Sequence, residues 1–286
     1  MVFEKMVFTS STAEKIFRTN GKMLINFDLG KSTTKKEVFV EEKSVTINKI
    51  KIRKKEFEEL KENRLYFIKD LGDGEGKVEP VQLFANETNL FYKLYPTRNW
   101  PTLVLSSVLM HRIKNAGPKE DTESKLRTIE TIKGNCLDTC CGLGYTAIAL
   151  ANMRKVERVE VFERDKNVLA IAKYNPYSED LFENKKILLH NESVFEGVKR
   201  LEGESFDRII HDPPTVSFAK ELYSLEFYEH LFRVLKKGGK LYHYAPHPGK
   251  TKGRMDYLGW MKNLTNVGFQ KVKYVGKASG ISAVKP

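Results

Sequence analysis

Asp138-Thr139-Cys140-Cys141-Gly142-Leu143-Gly144-Tyr145-Thr146 decides how this chain folds. An apolar lead-in, Asn135-Cys136-Leu137, precedes it, and a strong helix former, Ala147-Ile148-Ala149-Leu150-Ala151, follows. The order is strand, acidic residue, glycine-rich turn, helix. Such a turn lets a ligand press against bare backbone while helix N–H groups point at it. About nineteen residues after Gly144 a second apolar run (Val159, Val161, Phe162) ends in Glu163. At that spacing, doubly wound nucleotide-binding sheets place the carboxylate that holds ribose hydroxyls. An adenosine-containing cofactor is the expected ligand.

Working outward, strand and helix patterns alternate over 136–138, 147–152, 158–163, 168–174, 186–190 and 206–212. They continue over 222–235, 240–244 and 255–266, with a final strand pair at 269–275 and 281–284. Alternating βα units predict an α/β fold, a parallel sheet with helices on both faces. Right-handed crossovers then gather the strand ends, and the ligand, along one edge. Upstream, residues 102–113 read as a helix and 118–131 as a polar connection with some helical potential. Before them the character changes. Strands rich in β-branched and aromatic residues are expected at 23–29, 38–40, 45–47, 65–68 and 81–84, with helical spacing over 54–62. The chain therefore divides into a basic, mostly β region over 1–95 and an α/β domain over 96–286.

The 286 residues carry 49 Lys+Arg against 37 Asp+Glu, a formal net charge of +12. That balance favours polyanionic partners, nucleic acid or an anionic membrane. Taken alone it equally fits the lysine- and glutamate-rich surface of a heat-adapted protein. Cys136, Cys140 and Cys141 all lie in the glycine-rich segment, and the six histidines are scattered, so neither a disulfide framework nor a metal site is expected. Residues 1–10 lack a signal-peptide layout, and no apolar run approaches the ~18 residues of a membrane span. A protein of the reducing cytoplasm, without a membrane partner, is the expectation.

A second diagnostic stretch is Phe206-Asp207-Arg208-Ile209-Ile210-His211-Asp212-Pro213-Pro214-Thr215. Ile209 and Ile210 suit a buried strand, and Asp212-Pro213-Pro214 falls at its carboxyl end. Two prolines fix the backbone and remove two N–H donors. Rigid carbonyls and one carboxylate remain at the lip, a cradle for an amino group needing two acceptors. A plain strand-ending turn is the alternative for such a tripeptide found alone.

Together, the glycine-rich segment, Glu163 and Asp212-Pro213-Pro214 resemble class I S-adenosylmethionine-dependent methyltransferases. Asp-Pro-Pro is similar to the Asp/Asn-Pro-Pro-aromatic signature of enzymes that methylate exocyclic amino groups. With Ile210-His211, Pro101-Thr102-Leu103, Met110-His111-Arg112 and Gly238-Gly239-Lys240-Leu241, residues 101–286 resemble a family of archaeal methyltransferases associated with dimethylation of a cytidine amino nitrogen in small-subunit ribosomal RNA. The resemblance implies a doubly wound, Rossmann-like sheet of seven strands with the last pair antiparallel. It also implies S-adenosylmethionine as cofactor and RNA as partner.

Carried onto this sequence, the resemblance assigns the methionine part of the cofactor to Asp138 and the loop through Cys140, Gly142, Gly144, Tyr145 and Thr146. It assigns the ribose to Glu163, and the adenine to Asn191 and Glu192, where a surface loop is the alternative. Asp165 reads as a helix cap. Asp212, Pro213 and Pro214 form the catalytic set, and His211 is expected to pack away from the pocket. One departure stands out: Thr215 occupies the place of the aromatic that stacks on the base. Phe218 and Tyr223 are candidate replacements, with Tyr242, His243, Tyr244 and His247 following the next strand. The cysteines sit in the cofactor loop, which disfavours thiolate-based methylation of a ring carbon. Phosphate contacts are expected from the run Lys49, Lys51, Arg53, Lys54 and Lys55, with Lys31, Lys35 and Lys36 nearby; Lys250-Thr251-Lys252-Gly253-Arg254 is a second candidate grip, for which a solvated charge cluster is the commoner explanation. Neutralisation by Glu56, Glu58, Glu59 and Glu62 is the alternative for the first run. Two other functions fit the same residues: methyl or aminopropyl transfer to a small amine or protein, and a non-catalytic RNA-binding assembly factor.

Overall fold

The structure is a computed structural model describing residues 6–246 and 257–286. His247 and the 250–254 cluster lie outside the described residues. Two compact units divide the chain: Met1–Ile113 with Ala170–Glu179, and Lys114–Leu169 with Asp180–Pro286.

In the second unit seven strands form one sheet: β1 (Gly134–Asp138), β2 (Val156–Phe162), β3 (Ile187–His190), β4 (Phe206–His211), β5 (Leu235–Tyr244), β6 (Gln270–Val275) and β7 (Gly280–Val284), in the order β3-β2-β1-β4-β5-β7-β6. The first five run parallel, and β7 is antiparallel to both neighbours. Side chains alternate across it. Leu137, Ile209 and Leu241 enter one apolar layer, with Phe227 and Leu231 from the helix Leu225–Val234. Cys136, Ile210 and Tyr242 enter the other, with Leu150. Burial on both faces explains why these strands read as continuous apolar runs. Strand order reverses between β1 and β4, the switch point at which open α/β sheets bind ligands. Their register pairs Asp138 with Ile210, so the glycine-rich loop and Asp212 leave the sheet side by side.

The polar connection with some helical potential expected over 118–131 forms a full helix, α1 (Pro118–Arg127). Its start is well marked, by Pro118 in the first turn and by Glu120 accepting from the Gly117 N–H at 2.8 Å. The next helices are α2 (Tyr145–Ala151), opened by Gly144, and α3 (Lys166–Ala172). Asp165 caps α3, its Oδ1 accepting from Asn167 N at 2.8 Å. Arg208, 6% exposed within the sheet, donates to the carbonyls of Ile129, Glu130 and Thr131 and ties α1's exit to β4.

The first unit is mostly β. One sheet takes Val7–Thr9, Leu65–Gly72, Glu75–Pro80, Ile50–Arg53, Ser44–Ile47, Lys36–Val40 and Gly21–Ile25, in that spatial order. Phe8, Val38, Ile47, Ile52 and Phe57 lie in its core. The expected helix over 54–62 shrinks to one 3-10 turn, Lys54–Phe57. A four-stranded sheet follows: Val108–Leu109, Thr102–Leu105, Leu90–Tyr95 and Gln82–Ala85. Here the helix expected over 102–113 is replaced by a hairpin. All four residues of Thr102–Leu105 are buried, and they pair with Tyr95 through Tyr92. Four buried residues in succession suit a strand covered on both faces, not one face of a helix. Ser106 and Ser107 take positive φ at the turn. The pairing of Leu90–Tyr95 with Thr102–Leu105 also places the expected 95/96 boundary inside a sheet, and the first unit runs on to Ile113.

Candidate active site

The glycine-rich loop is built around one buried carboxylate. Asp138 has no exposed surface; its Oδ2 accepts from Thr146 Oγ1 at 2.5 Å and its Oδ1 from Cys140 N at 3.4 Å. Burial pushes its carboxyl up to about 6, opposed by the Thr146 bond and reinforced by Asp212. Thr146 therefore reaches a ligand through Asp138. Tyr145 is 3% exposed, so its side chain lies in the interior beside the loop.

The two glycines do different work. Gly144 (φ +82) caps α2, and a Cβ there would meet Leu181 Cδ2 at 2.8 Å. Gly142 (φ +55) has nothing within 4 Å of where its Cβ would be. Its bare face is where a ligand can approach the backbone.

Glu163, at the end of β2, grips this loop. Its Oε2 accepts from Gly142 N at 3.0 Å and its Oε1 from Asp165 N at 2.9 Å. Burial raises its carboxyl to about 7 against those two bonds. Asn191 is exposed and donates to the Glu163 carbonyl at 2.7 Å. Glu192 is paired with Arg200 at 2.5 Å and points its charge there. Ser193 and Val194, the next two residues, line the cleft, and the sequence reading did not single them out. With Thr139, Cys140, Glu163, Arg164, Pro214, Ala219, Glu221 and Leu222 they line a small cleft of about 50 Å³.

Cys140 sits among three carboxylates. Its thiol is held well above the usual range by burial first, then by Glu163, with Asp138 and Asp212 adding to the effect. No thiolate nucleophile can form there at neutral pH. The same three carboxylates give the cleft a negative potential suited to a cationic ligand such as a sulfonium. With the open face of Gly142 and the Glu163 carboxylate, the residues present fit S-adenosylmethionine.

Asp212 follows β4 at the lip and is bound by a residue that the motifs did not reveal. Lys125, on α1, brings Nζ to 2.6 Å from Asp212 Oδ2 and 2.8 Å from Asp121 Oδ2. Burial opposes its charge, yet the Asp212 and Asp121 carboxylates outweigh that and hold the ammonium above the ordinary lysine range. The segment beyond Asp212 is pinned from beneath. Tyr223 OH donates to the Pro214 carbonyl at 2.7 Å, and His211 Nε2 to Leu222 O at 3.0 Å. A carbonyl only accepts, so Nε2 carries the proton and Nδ1 accepts from Thr139 Oγ1 at 2.8 Å. From above, Arg164 donates to Phe218 O at 2.5 Å and pairs with Glu221 at 3.0 Å.

These contacts sort the substrate-side candidates. Tyr223 is 6% exposed and packs against Trp260 with ring centroids 4.7 Å apart and tilted by 38°, so it braces the lip and is withdrawn as a base-stacking ring. Tyr242 and His243 are fully buried. Phe218, Thr215 and Tyr244 are half-buried, and Thr215 Oγ1 bonds Ser217 Oγ at 3.0 Å. In the first unit Lys54 Nζ is spent on Thr19 O and Asn20 Oδ1 at 3.0 and 2.9 Å, and Lys31 on Glu179. Arg53 is paired with Glu56 at 2.8 Å, whereas Lys49, Lys51 and Lys55 are exposed. Among the described residues no helix is long and apolar enough to cross a membrane.

Comparison with known proteins agrees with this geometry. Over its whole length the chain is 42% identical to the uncharacterised protein MJ1233 of Methanocaldococcus jannaschii, covering 98% of it. Two solved structures share the fold: spermidine synthase in complex with the transition-state analogue AdoDATO (TM-score 0.56, 18% identity, 72% of this chain and 73% of that one) and spermidine synthase from Thermotoga maritima (TM-score 0.55, 16% identity, 77% and 79%). The family described as methyltransferase small domain matches residues 120–267, which contain the glycine-rich loop, Glu163, Lys125 and Asp212-Pro213-Pro214. The chain belongs to that family of methyltransferases, with S-adenosylmethionine as its cofactor.

Proposed function

We propose that this protein methylates an exocyclic amino group of RNA, the amino nitrogen of a cytidine in small-subunit ribosomal RNA being the reading that its motifs favour. The observation that carries it is Asp212-Pro213-Pro214 at the carboxyl end of β4, beside the cofactor loop at the end of β1, with Pro214 lining the same cleft as Thr139 and Cys140. When bound, S-adenosylmethionine supplies an electrophilic methyl group on a sulfonium.

An exocyclic amine delocalises its lone pair into the ring and is a weak nucleophile. Accepting its N–H groups at the Asp212 carboxylate and the Pro213 carbonyl localises that pair and aims it. The Pro214 carbonyl is already committed to Tyr223, which holds the tripeptide rigid. The Asp212 carboxylate and the Pro213 carbonyl would hold the amine in line with the methyl group that the cofactor would supply, and the proton shed on transfer would leave past Asp212 to water. Orientation and preorganised charge account for the catalysis. Asp121 and Asp212 are neutralised in part by Lys125, which leaves a site better matched to a neutral base than to a polycation. For stacking, Phe218 and Tyr244 are the partly exposed rings near the lip.

The test is nucleoside mass spectrometry of ribosomal RNA from cells with and without the gene, together with methyl transfer to RNA from the deletion strain. We expect one methylated cytidine to vanish from the deletion strain and to return with the purified protein. Asp212→Ala should lower transfer by about 10³-fold or more with cofactor affinity nearly kept. An unchanged modification profile, or no transfer to that RNA, would reject the RNA reading.

A further inference from the structure

We propose that Lys125 is a positioning residue for methyl transfer: clamped between Asp121 and Asp212, its ammonium holds the Asp212 carboxylate ionised and aimed at the target amine. The inference rests on the amine-methylation reading above and adds a residue outside its motifs.

Lys125 is buried, its side chain 4% exposed, against 3% for Asp121 and 22% for Asp212. A buried ion pair of this kind is weak evidence for stability, because desolvating both charges offsets most of their attraction. An apolar residue would fill the same volume at no such cost. What the pair does accomplish is to fix Asp212. With Oδ2 bound at 2.6 Å, the carboxylate cannot turn about its own axis without breaking that contact. The clamp is itself rigid, since Asp121 and Lys125 share one face of α1 at i and i+4.

The surrounding charges explain why a cation is needed. Asp138 from β1 lies close enough to feel Asp212, and Asp121 faces from α1. Tyr244 from β5 places its ring 6.0 Å from Lys125 Nζ, and Tyr223 lies beyond Asp212. Without Lys125, the Asp212, Asp121 and Asp138 carboxylates would lose the ammonium held between two of them, and like charges favour protonation of one of them. A protonated Asp212 accepts an N–H far more weakly than a carboxylate does. It would also hold a proton in the place where the amine must shed one.

The test uses the full chain with Lys125→Met, Lys125→Arg and the double variant Lys125→Met/Asp121→Asn, which removes the Asp121 charge together with that of Lys125. Three quantities are read: single-turnover transfer to RNA from the deletion strain against pH, cofactor affinity by calorimetry, and the pH titration of the 13C-labelled Asp212 carboxyl. In the double variant we expect transfer at pH 7 to fall about 100-fold with cofactor affinity within threefold, and the acid limb of the rate profile to move up by about one pH unit. The Asp212 carboxyl signal should move with it. Lys125→Arg, which keeps the charge, should recover part of the rate. A double variant with the wild-type rate and pH profile overturns the proposal. So does a rate loss matched by an equal loss of cofactor affinity, which marks a structural role only. If the wild-type protein transfers no methyl to RNA, the RNA reading fails; an Asp212 titration unchanged by loss of Lys125 then overturns this inference separately.

Discussion

Gly142 and Gly144 are two residues apart, both at positive φ, and they call for opposite experiments. An alanine at 144 must take left-handed backbone and press a methyl 2.8 Å from Leu181, so Gly144→Ala should lose about 2–4 kcal/mol of stability in denaturant unfolding. An alanine at 142 meets open space and costs only the backbone strain, about 1 kcal/mol. Its methyl stands where the cofactor approaches, so Gly142→Ala should fold and yet bind S-adenosylmethionine at least tenfold more weakly. Glu163 gives a second residue-scale prediction. Burial pushes its carboxyl up to about 7, and in the ribose-holding role expected from the sequence only the ionised form would accept from both hydroxyls. Cofactor affinity should therefore rise between pH 6 and pH 8, measured calorimetrically. Glu163→Gln should flatten that rise and weaken binding about 10–100-fold, the worth of hydrogen bonds to a charged acceptor.

At the scale of elements, the lip after β4 is held by a buried polar network whose pH response has a definite sign. His243 donates from Nδ1 to Tyr244 O and accepts at Nε2 from Tyr228 OH at 2.8 Å, and burial lowers it to about 4. His211, buried beside it, is lowered as well. In the unfolded chain both take a proton near pH 6.5, so their contribution is present above that value and is lost as pH falls toward 4. Asp138 and Glu163 act in the opposite direction, since their raised carboxyls favour the folded state as pH falls. A comparison of variants separates them: relative to wild type, His243→Gln should gain roughly 5 °C in thermal midpoint between pH 7 and pH 5. Elements also divide what could be read from the residues alone. The βα alternation from residue 136 onward was legible because strands buried on both faces are long apolar runs. α1 was not, because the stripe it buries (Asp121, Thr122, Lys125, Leu126) is mostly polar and has no apolar period. The hairpin at 102–105 was missed because its four consecutive buried residues carry no alternation. In the site, Asp138, Glu163 and Asp212 could be nominated because each ends a strand of the sheet. Lys125 could not: its partner Asp212 is 87 residues away, and only the fold joins them.

Over the whole molecule, a net charge of +12 is shared by a unit that holds the cofactor site and a mostly β unit that holds none of its residues. If RNA is the substrate, the second of these should act through phosphates, which position a nucleic acid without reading its sequence. Its densest cationic run is smaller than its sequence implies, because Lys54 and Arg53 are spent inside the unit. Lys49, Lys51 and Lys55 remain exposed and form the part that can be tested. Each phosphate neutralised on a single strand releases about 0.7 of a counterion, so replacing all three by glutamine should reduce the salt slope of RNA binding by up to roughly 2. All three belong to the unit that holds no residue of the cofactor site. The KM for RNA should therefore rise severalfold, while cofactor affinity and the rate at saturating RNA stay unchanged. A triple variant that keeps the wild-type KM and salt slope would remove RNA docking from this surface. Methyl transfer would then rest on contacts made by the cofactor-binding unit alone.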